Sequence, residues 1–220
     1  MGKINRPLCV RFLMFTLGIA IMALGSVMTV RANLGVAPWD TLNIGLYRTF
    51  GLTIGVWSQV VGLFVIVTSY AVARLKPGIG TWLNMLLFGL FFDFFTYLDL
   101  IPEYQAMWQR MILLLAGLLV ISIGIGMYIS PRVGAGPRDS FMLALHEKTG
   151  WSIQKVRLMI EVLVLAVGWL MGGPVSIGTL IIAGLTGPLI QRTIPFWEKL
   201  MKRQYQPQQQ KHSIPAQISH

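Results

Sequence analysis

The sequence predicts an all-α membrane protein of about six transmembrane helices, arranged as two inverted three-helix repeats. Three observations predict it. Of the 220 residues, 55% are hydrophobic and only 12% are charged, about half the charged fraction of an ordinary soluble domain. Apolar runs of about 20 residues, the length that crosses a hydrocarbon core, recur along the chain, and the mean hydropathy is +0.65. Finally, Gly, Pro and Asp positions recur at an offset of 99 residues, and such matches arise by chance far less readily than apolar ones.

The apolar runs cover 12–30, 54–73, 80–98, 111–129, 153–171 and 177–194. Most begin or end at charge, Gly or Pro. The first follows Lys3, Arg6 and Arg11, a pattern shared with signal peptides, but its twin at 111–129 is internal, so it is expected to be retained as a structural helix. The third is dense in aromatics, and Trp and Tyr near several run ends suit an interfacial belt. From Lys199 the chain is polar, Gln-rich and without periodicity, and disorder is expected from about Gln204. The predicted organisation is one transmembrane domain over 1–198, with repeat one at 11–98 and repeat two at 110–196, followed by a tail at 199–220.

At the offset of 99, Arg11 falls on Arg110, Gly18 on Gly117, Gly25 on Gly124 and Met28 on Met127. Gly35, Pro38 and Asp40 fall on Gly134, Pro137 and Asp139, and Gly51 on Gly150. After one residue is dropped, Ile79-Gly80-Thr81 falls on Ile177-Gly178-Thr179 and Gly89 on Gly187. Each unit therefore holds a span, a Gly-x-x-Pro-x-Asp connection with a short helix, a second span, an Ile-Gly-Thr turn and a third span. An odd number of spans per unit inverts the second unit relative to the first, a recurring plan among secondary transporters. With a cytoplasmic N-terminus, only Arg31, Arg48 and Arg110 of the 18 Lys and Arg residues fall outside. The positive-inside rule thus predicts a multi-pass protein of the bacterial inner (cytoplasmic) membrane with both termini cytoplasmic.

The same distribution argues against nucleic acid as a partner. The net charge of +10 comes from run ends and the tail, without a basic stripe interleaved with stacking aromatics. Cys9 is the only cysteine, which excludes an internal disulfide and a cysteine-based metal or redox site. His146, His212 and His220 form no ligand cluster, two of them lying in the tail. No Walker loop, zinc-protease motif, Gly-x-Ser-x-Gly or paired His is present. The chain is read as no enzyme, with no cofactor and no metal.

The candidate pathway residues are Pro38, Asp40, Pro137, Arg138, Asp139, Arg157 and Glu161. Pro at the first helical position and Asp two residues later make a good helix N-terminus, because Pro gives up an amide that is unpaired anyway and Asp opposes the positive dipole end. Two readings follow. The Asp residues only stabilise the starts of two short surface helices, or the helices dip into the membrane and line a cavity for a solute or proton. Arg138 stands where the first unit has Trp39, so two such sites would differ chemically. Glu161, about eight residues into the fifth run, is a functional candidate because an isolated carboxylate there is expensive. Arg157, one turn earlier, is placed for an i, i+4 pair, as a structural tie or as part of a proton relay. Asp93 and Gln59 are weaker candidates. Gly18 with Gly25, and Gly117 with Gly124, are read as helix-packing positions.

Leu34-Gly35-Val36-Ala37-Pro38-Trp39-Asp40 in the first unit, and Gly134-Ala-Gly-Pro-Arg-Asp139, Val156-Arg157, Glu161, Gly168, Gly172-Gly173, Gly178-Thr179 and Gly187-Pro188 in the second, resemble the YczE/YyaS/YitT family of bacterial integral membrane proteins, and its YczE branch most. The resemblance spans about 12–191 and implies a multispanning bacterial membrane protein, without carrying over an activity. The leading functional expectation from the residues is a small permease-like transporter of a small solute or ion. The alternative is a non-transporting accessory or scaffold that binds another membrane or membrane-associated protein. Self-association into a homodimer is compatible with either, and the lipid bilayer is a partner in both.

Overall fold

A computed structural model describes residues 8–74, 76–134 and 136–203 of the chain. Among them are eight α-helices and no strand: α1 (Leu8–Ala32), α2 (Pro38–Phe50), α3 (Ile54–Ala73), α4 (Ile79–Leu98), α5 (Met107–Ile129), α6 (Pro137–Thr149), α7 (Ile153–Leu170) and α8 (Ile177–Arg203). Five of them, α1, α3, α4, α5 and α8, are long and apolar enough to cross a bilayer. The fifth run of the sequence, α7, has 18 residues and holds Lys155, Arg157 and Glu161 in its first half.

The helix ends follow local chemistry. Both short helices have Pro at their first position and stop at a glycine of positive φ, Gly51 or Gly150, as the sequence predicts. Thr53 and Ser152, twins at the same offset, cap α3 and α7 by accepting from Val56 and Lys155 amides. Helix α8 continues through Pro188 and Pro195 to Arg203, so residues 199–203 of the expected tail are helical. Residues 204–220, including His212 and His220, and residues 1–7 lie outside the described residues.

The centre of the molecule is the α1–α5 pair, held together by glycines. A Cβ on Gly18 would lie 2.9 Å from the Gly124 carbonyl oxygen, and one on Gly25 would lie 2.7 Å from that of Gly117. Water-driven burial does not assemble helices inside lipid, so close backbone approach and its dispersion contacts do that work. Around this seam Phe15, Ile19, Ala23 and Val27 pack with Phe88 and Phe92 of α4 and Tyr128 of α5. Leu113, Leu114 and Leu118 pack with Leu34 and Ile182.

Contacts recur in pairs across the two halves. Helix α4 packs on α1 and α8 on α5; the short α2 packs on α7, and the short α6 on α3. Arg11, at the start of α1, donates from Nε to the Pro131 carbonyl at 2.8 Å and from its guanidinium to that of Arg132. Arg110, at the start of α5, donates from Nε to the Ala32 carbonyl at 2.8 Å and also to that of Asn33. Each arginine closes the other half's first helix, satisfying terminal carbonyls and opposing the negative dipole end. The accepting residues Asn33 and Arg132 share a left-handed backbone, φ 51° and 54°. The pairing fails most clearly at one place: α3 packs along α4, whereas α7 and α8 are not packed along each other; the small α4–α6 contact also lacks a counterpart between α8 and α2.

Two glycines of the paired loops are demanded by space. Gly35 has φ 95° and its Cβ would sit 2.6 Å from Thr179 Oγ1; Gly134 lies against Gly80, where a Cβ would come 2.7 Å from the Gly80 Cα. Both loops are thereby seated on the Ile-Gly-Thr starts of α8 and α4.

Candidate functional site

Seating the loops on those helix starts turns the N-terminal turns of α2 and α6 into the bundle. In α2, Pro38, Asp40, Thr41, Asn43, Ile44 and Gly45 are all buried, whereas Tyr47, Arg48, Thr49 and Phe50 at its end are exposed. Close approaches hold it there: Gly45 and Gly168 bring α2 against α7, and the Arg48 guanidinium donates to the Gly172 carbonyl at 2.5 Å. Helix α6 enters from the other half, with Pro137 buried and Arg138 and Asp139 half-buried.

The two turns meet. The Arg138 guanidinium carbon lies 4.7 Å from the centroid of the Trp39 ring and 6.0 Å from that of Phe88, the range of a cation–π contact. Trp39 and Arg138 occupy corresponding positions of the two units, and the structure brings them into contact. They line a single cavity of about 400 Å³ together with Pro38, Asp40, Pro137 and Asp139, within the roughly 300–1,000 Å³ typical of ligand pockets. Asp40 is 3% exposed and lies near Ser26. The Tyr128 hydroxyl donates to Asp139 Oδ2 at 3.4 Å.

Arg157 and Glu161 also line this cavity. Arg157 Nε donates to Glu161 Oε1 at 2.8 Å, the i, i+4 geometry that the spacing allows, and the Glu161 side chain is 27% exposed. All seven candidate residues from the sequence thus share one cavity. The two weaker candidates do not. Asp93 accepts from the Gly55 amide at 2.8 Å and from Thr53 Oγ1 at 2.5 Å, which makes it a cap on the start of α3. Gln59 donates from Nε2 to the Leu86 carbonyl at 3.0 Å, tying α3 to α4.

Sequence reasoning missed Ser26, Ser58, Asn84 and Tyr128, which also line the cavity. Asn84 is the most informative, because its Nδ2 is buried without a hydrogen-bond partner in the protein. An unpaired amide donor in an apolar interior costs about 1–3 kcal/mol. The available signal was an amide side chain six residues into an aromatic-rich span, where polar groups are rare.

Among the described residues no group of His, Cys, Asp and Glu is placed to hold a metal ion. The arrangement is instead a mixed-charge chamber: carboxylates Asp40, Asp139 and Glu161 face guanidiniums Arg138 and Arg157 across apolar walls. Such a chamber can hold a charged solute away from lipid, and its opposed charges keep their own burial affordable.

Fold and site together define a polytopic helical membrane protein with a charged central cavity. The chain belongs to a family of unknown function (DUF6198), which matches residues 9–195. It is 38% identical over 192 residues to the uncharacterized membrane protein YczE of Bacillus subtilis (strain 168), covering 87% of this chain and 88% of the relative. It is 32% identical over 182 residues to an uncharacterized protein of Haemophilus influenzae, covering 83% and 81%. It is 25% identical over 190 residues to the uncharacterized protein YyaS of Bacillus subtilis, covering 86% and 94%. No solved structure matches the chain at a significant level. The resemblance seen in the motifs is therefore a true family relation, and the chain is a bacterial membrane protein.

Proposed function

We propose that the protein is a small permease-like transporter, built from two inverted three-helix repeats, that carries a small charged solute or ion through the central cavity. The observation that carries this reading is the meeting of two short helix N-termini, one from each half, at a chamber holding Asp40, Arg138 and Asp139. Opposed broken or re-entrant helices at a repeat interface are how secondary transporters place binding groups at the midplane.

The inverted arrangement is supported by the reciprocal contacts of Arg11 and Arg110 and by the exchange of α2 and α6 between halves. A sixth span at α7 is supported by its length, since 18 residues rise about 27 Å against a hydrocarbon core of about 30 Å. Its charges are accommodated: Lys155 lies 4.3 Å from the Trp151 ring centroid and Arg157 pairs with Glu161. Cytoplasmic termini are supported by the three arginines then left outside. Arg31 pairs with Asp99 and Glu103, while Arg48 and Arg110 are bound to carbonyls.

Proteoliposomes loaded with a pH-sensitive dye test this reading under an imposed gradient of protons and a panel of small charged solutes. Flux is expected from the parent protein and is expected to fall to the level of empty vesicles in Asp139→Asn and in Glu161→Gln, both of which still insert and remain monodisperse. Parent-level flux in both variants would sink the proposal, and no flux from any preparation would favour the accessory reading.

A further inference from the structure

The largest difference between the two halves is at one seam, and it is written in the sequence. Between α3 and α4 the seam is shut. A Cβ on Gly55 would lie 2.2 Å from the Gly89 carbonyl oxygen, Gln59 bonds to Leu86, and Asp93 caps α3. At the corresponding positions of the second half stand Gln154, Leu158 and Gln191. None of the three closures survives: the close-approach glycine is gone, the amide tie is replaced by a leucine that is 64% exposed, and the capping carboxylate is absent. Helices α7 and α8 accordingly do not pack along each other. Gly187, the twin of Gly89, has open space where a Cβ would be, as does Gly184.

The two helices that flank this seam both contribute to the chamber wall. The cavity wall includes Arg157 and Glu161 of α7 and Ala183 and Thr186 of α8. Three carboxylates and two guanidiniums line the chamber together with apolar side chains that include Leu118, Ile121, Ile182 and Ile190. Carboxylates outnumber guanidiniums in its wall three to two, which favours a ligand that carries an ammonium group over one that carries an anionic group alone. Asn84, 7% exposed and with Nδ2 unpartnered, supplies a donor for a ligand oxygen. We infer that the chamber opens sideways to the bilayer between α7 and α8 and takes an amphiphile with a zwitterionic, amine-bearing head. The head sits among Asp40, Asp139, Glu161 and Asn84, and the hydrocarbon tail runs out through the seam. This rests on the transport reading of the same cavity and gives it a lipid-like substrate in place of a small charged solute or ion.

Purified protein in vesicles is irradiated with trace phosphatidylethanolamine carrying a diazirine in its acyl chain, or with phosphatidylglycerol carrying the same chain, and adducts are mapped on peptides. The expected result is labelling of inward positions of α7 and α8 near Glu161, Ala183 and Thr186, favoured by the ethanolamine head about fivefold, the scale of roughly one net hydrogen bond. Asn84→Leu should erase the head preference. Gly187→Trp, placed in open space and so compatible with folding, should erase the inward adducts. Equal labelling by both probes over all outward faces, unaffected by Gly187→Trp, would mean annular lipid and overturn the inference. A dimer that becomes a monomer in Gly187→Trp would mean a second copy fills the seam, and would overturn it equally. A cysteine at Ser58 separates this failure from that of transport. Its labelling from both membrane faces alongside annular adducts leaves the permease reading standing, and labelling from one face alone removes both.

Discussion

Replacing Gly25 by Ala tests what holds the bundle together. The added Cβ would lie 2.6 Å from the Ile121 amide nitrogen, 2.7 Å from the Gly117 carbonyl oxygen and 2.8 Å from Ile121 Cγ1. Ordinary contacts of this kind lie near 3.5 Å, so α1 and α5 must separate by about 1 Å at the crossing and lose dispersion there. Two of the three obstructing atoms are backbone, and no rotamer change relieves them. Overpacking of this sort costs about 1–3 kcal/mol, against which Ala gains up to about 1 kcal/mol over Gly in a helix. The expected net loss is about 1–2 kcal/mol, with roughly 2–4 °C of melting temperature for each kcal/mol. Thermal unfolding in mild detergent, followed by circular dichroism, measures it. Gly184→Ala is the control: nothing lies within 4 Å of its Cβ, so only the propensity gain remains and the variant should be slightly more stable. Because Gly117 faces Gly25, the double Ala variant should lose less than the sum of the singles, the separation being made once. A Gly25→Ala protein as stable as Gly184→Ala would refute the packing argument.

Arg110→Gln removes two bonds to the end of α1 and should destabilise by about 1–2 kcal/mol, given that bonds from charged donors contribute about 1.5–3 kcal/mol when buried and this one is half-exposed. Arg11→Gln, its counterpart, should lose a similar amount in the same melting assay, and a loss in one alone would contradict their equivalence. Asp93→Ala uncaps α3 and should cost about 1–2 kcal/mol. Because Asp93 lies away from the cavity, vesicle flux per folded molecule should be unchanged in that variant; a selective loss of flux would return Asp93 to the pathway.

Much of the architecture was legible because its signals are local. Pro38 and Pro137 opened the short helices and Gly51 and Gly150 closed them, as the backbone chemistry of those residues requires. The doubled pattern was legible because Gly, Pro and Asp cannot be exchanged freely where backbones touch or turn. The extension of α8 was not, because polar residues 199–203 continue a helix already nucleated and propensity alone does not mark the stop. Nor was the meeting of Trp39 with Arg138, since each lies in its own half and no local pattern records a contact 99 residues away. Asn84 was overlooked for a related reason. In a membrane helix the lipid-facing and core-facing sides are both apolar, so periodicity does not say which face a lone amide occupies. Glu161 stood out because a charge in such a segment needs a reason, and Asp139 because it repeats Asp40 in the paired Pro-x-Asp motif.

The central claim is that the chamber communicates with both sides of the membrane, and Ser58 is the position from which to ask. It lines the cavity, is 9% exposed and accepts a cysteine with little change in shape. With Cys9 replaced by Ser and Ser58→Cys as the single thiol, intact cells and inverted vesicles are treated with a membrane-impermeant maleimide. The account predicts labelling from both faces, at rates that Asp139→Asn shifts in opposite directions. Labelling confined to one face, with rates indifferent to Asp139→Asn, would contradict it.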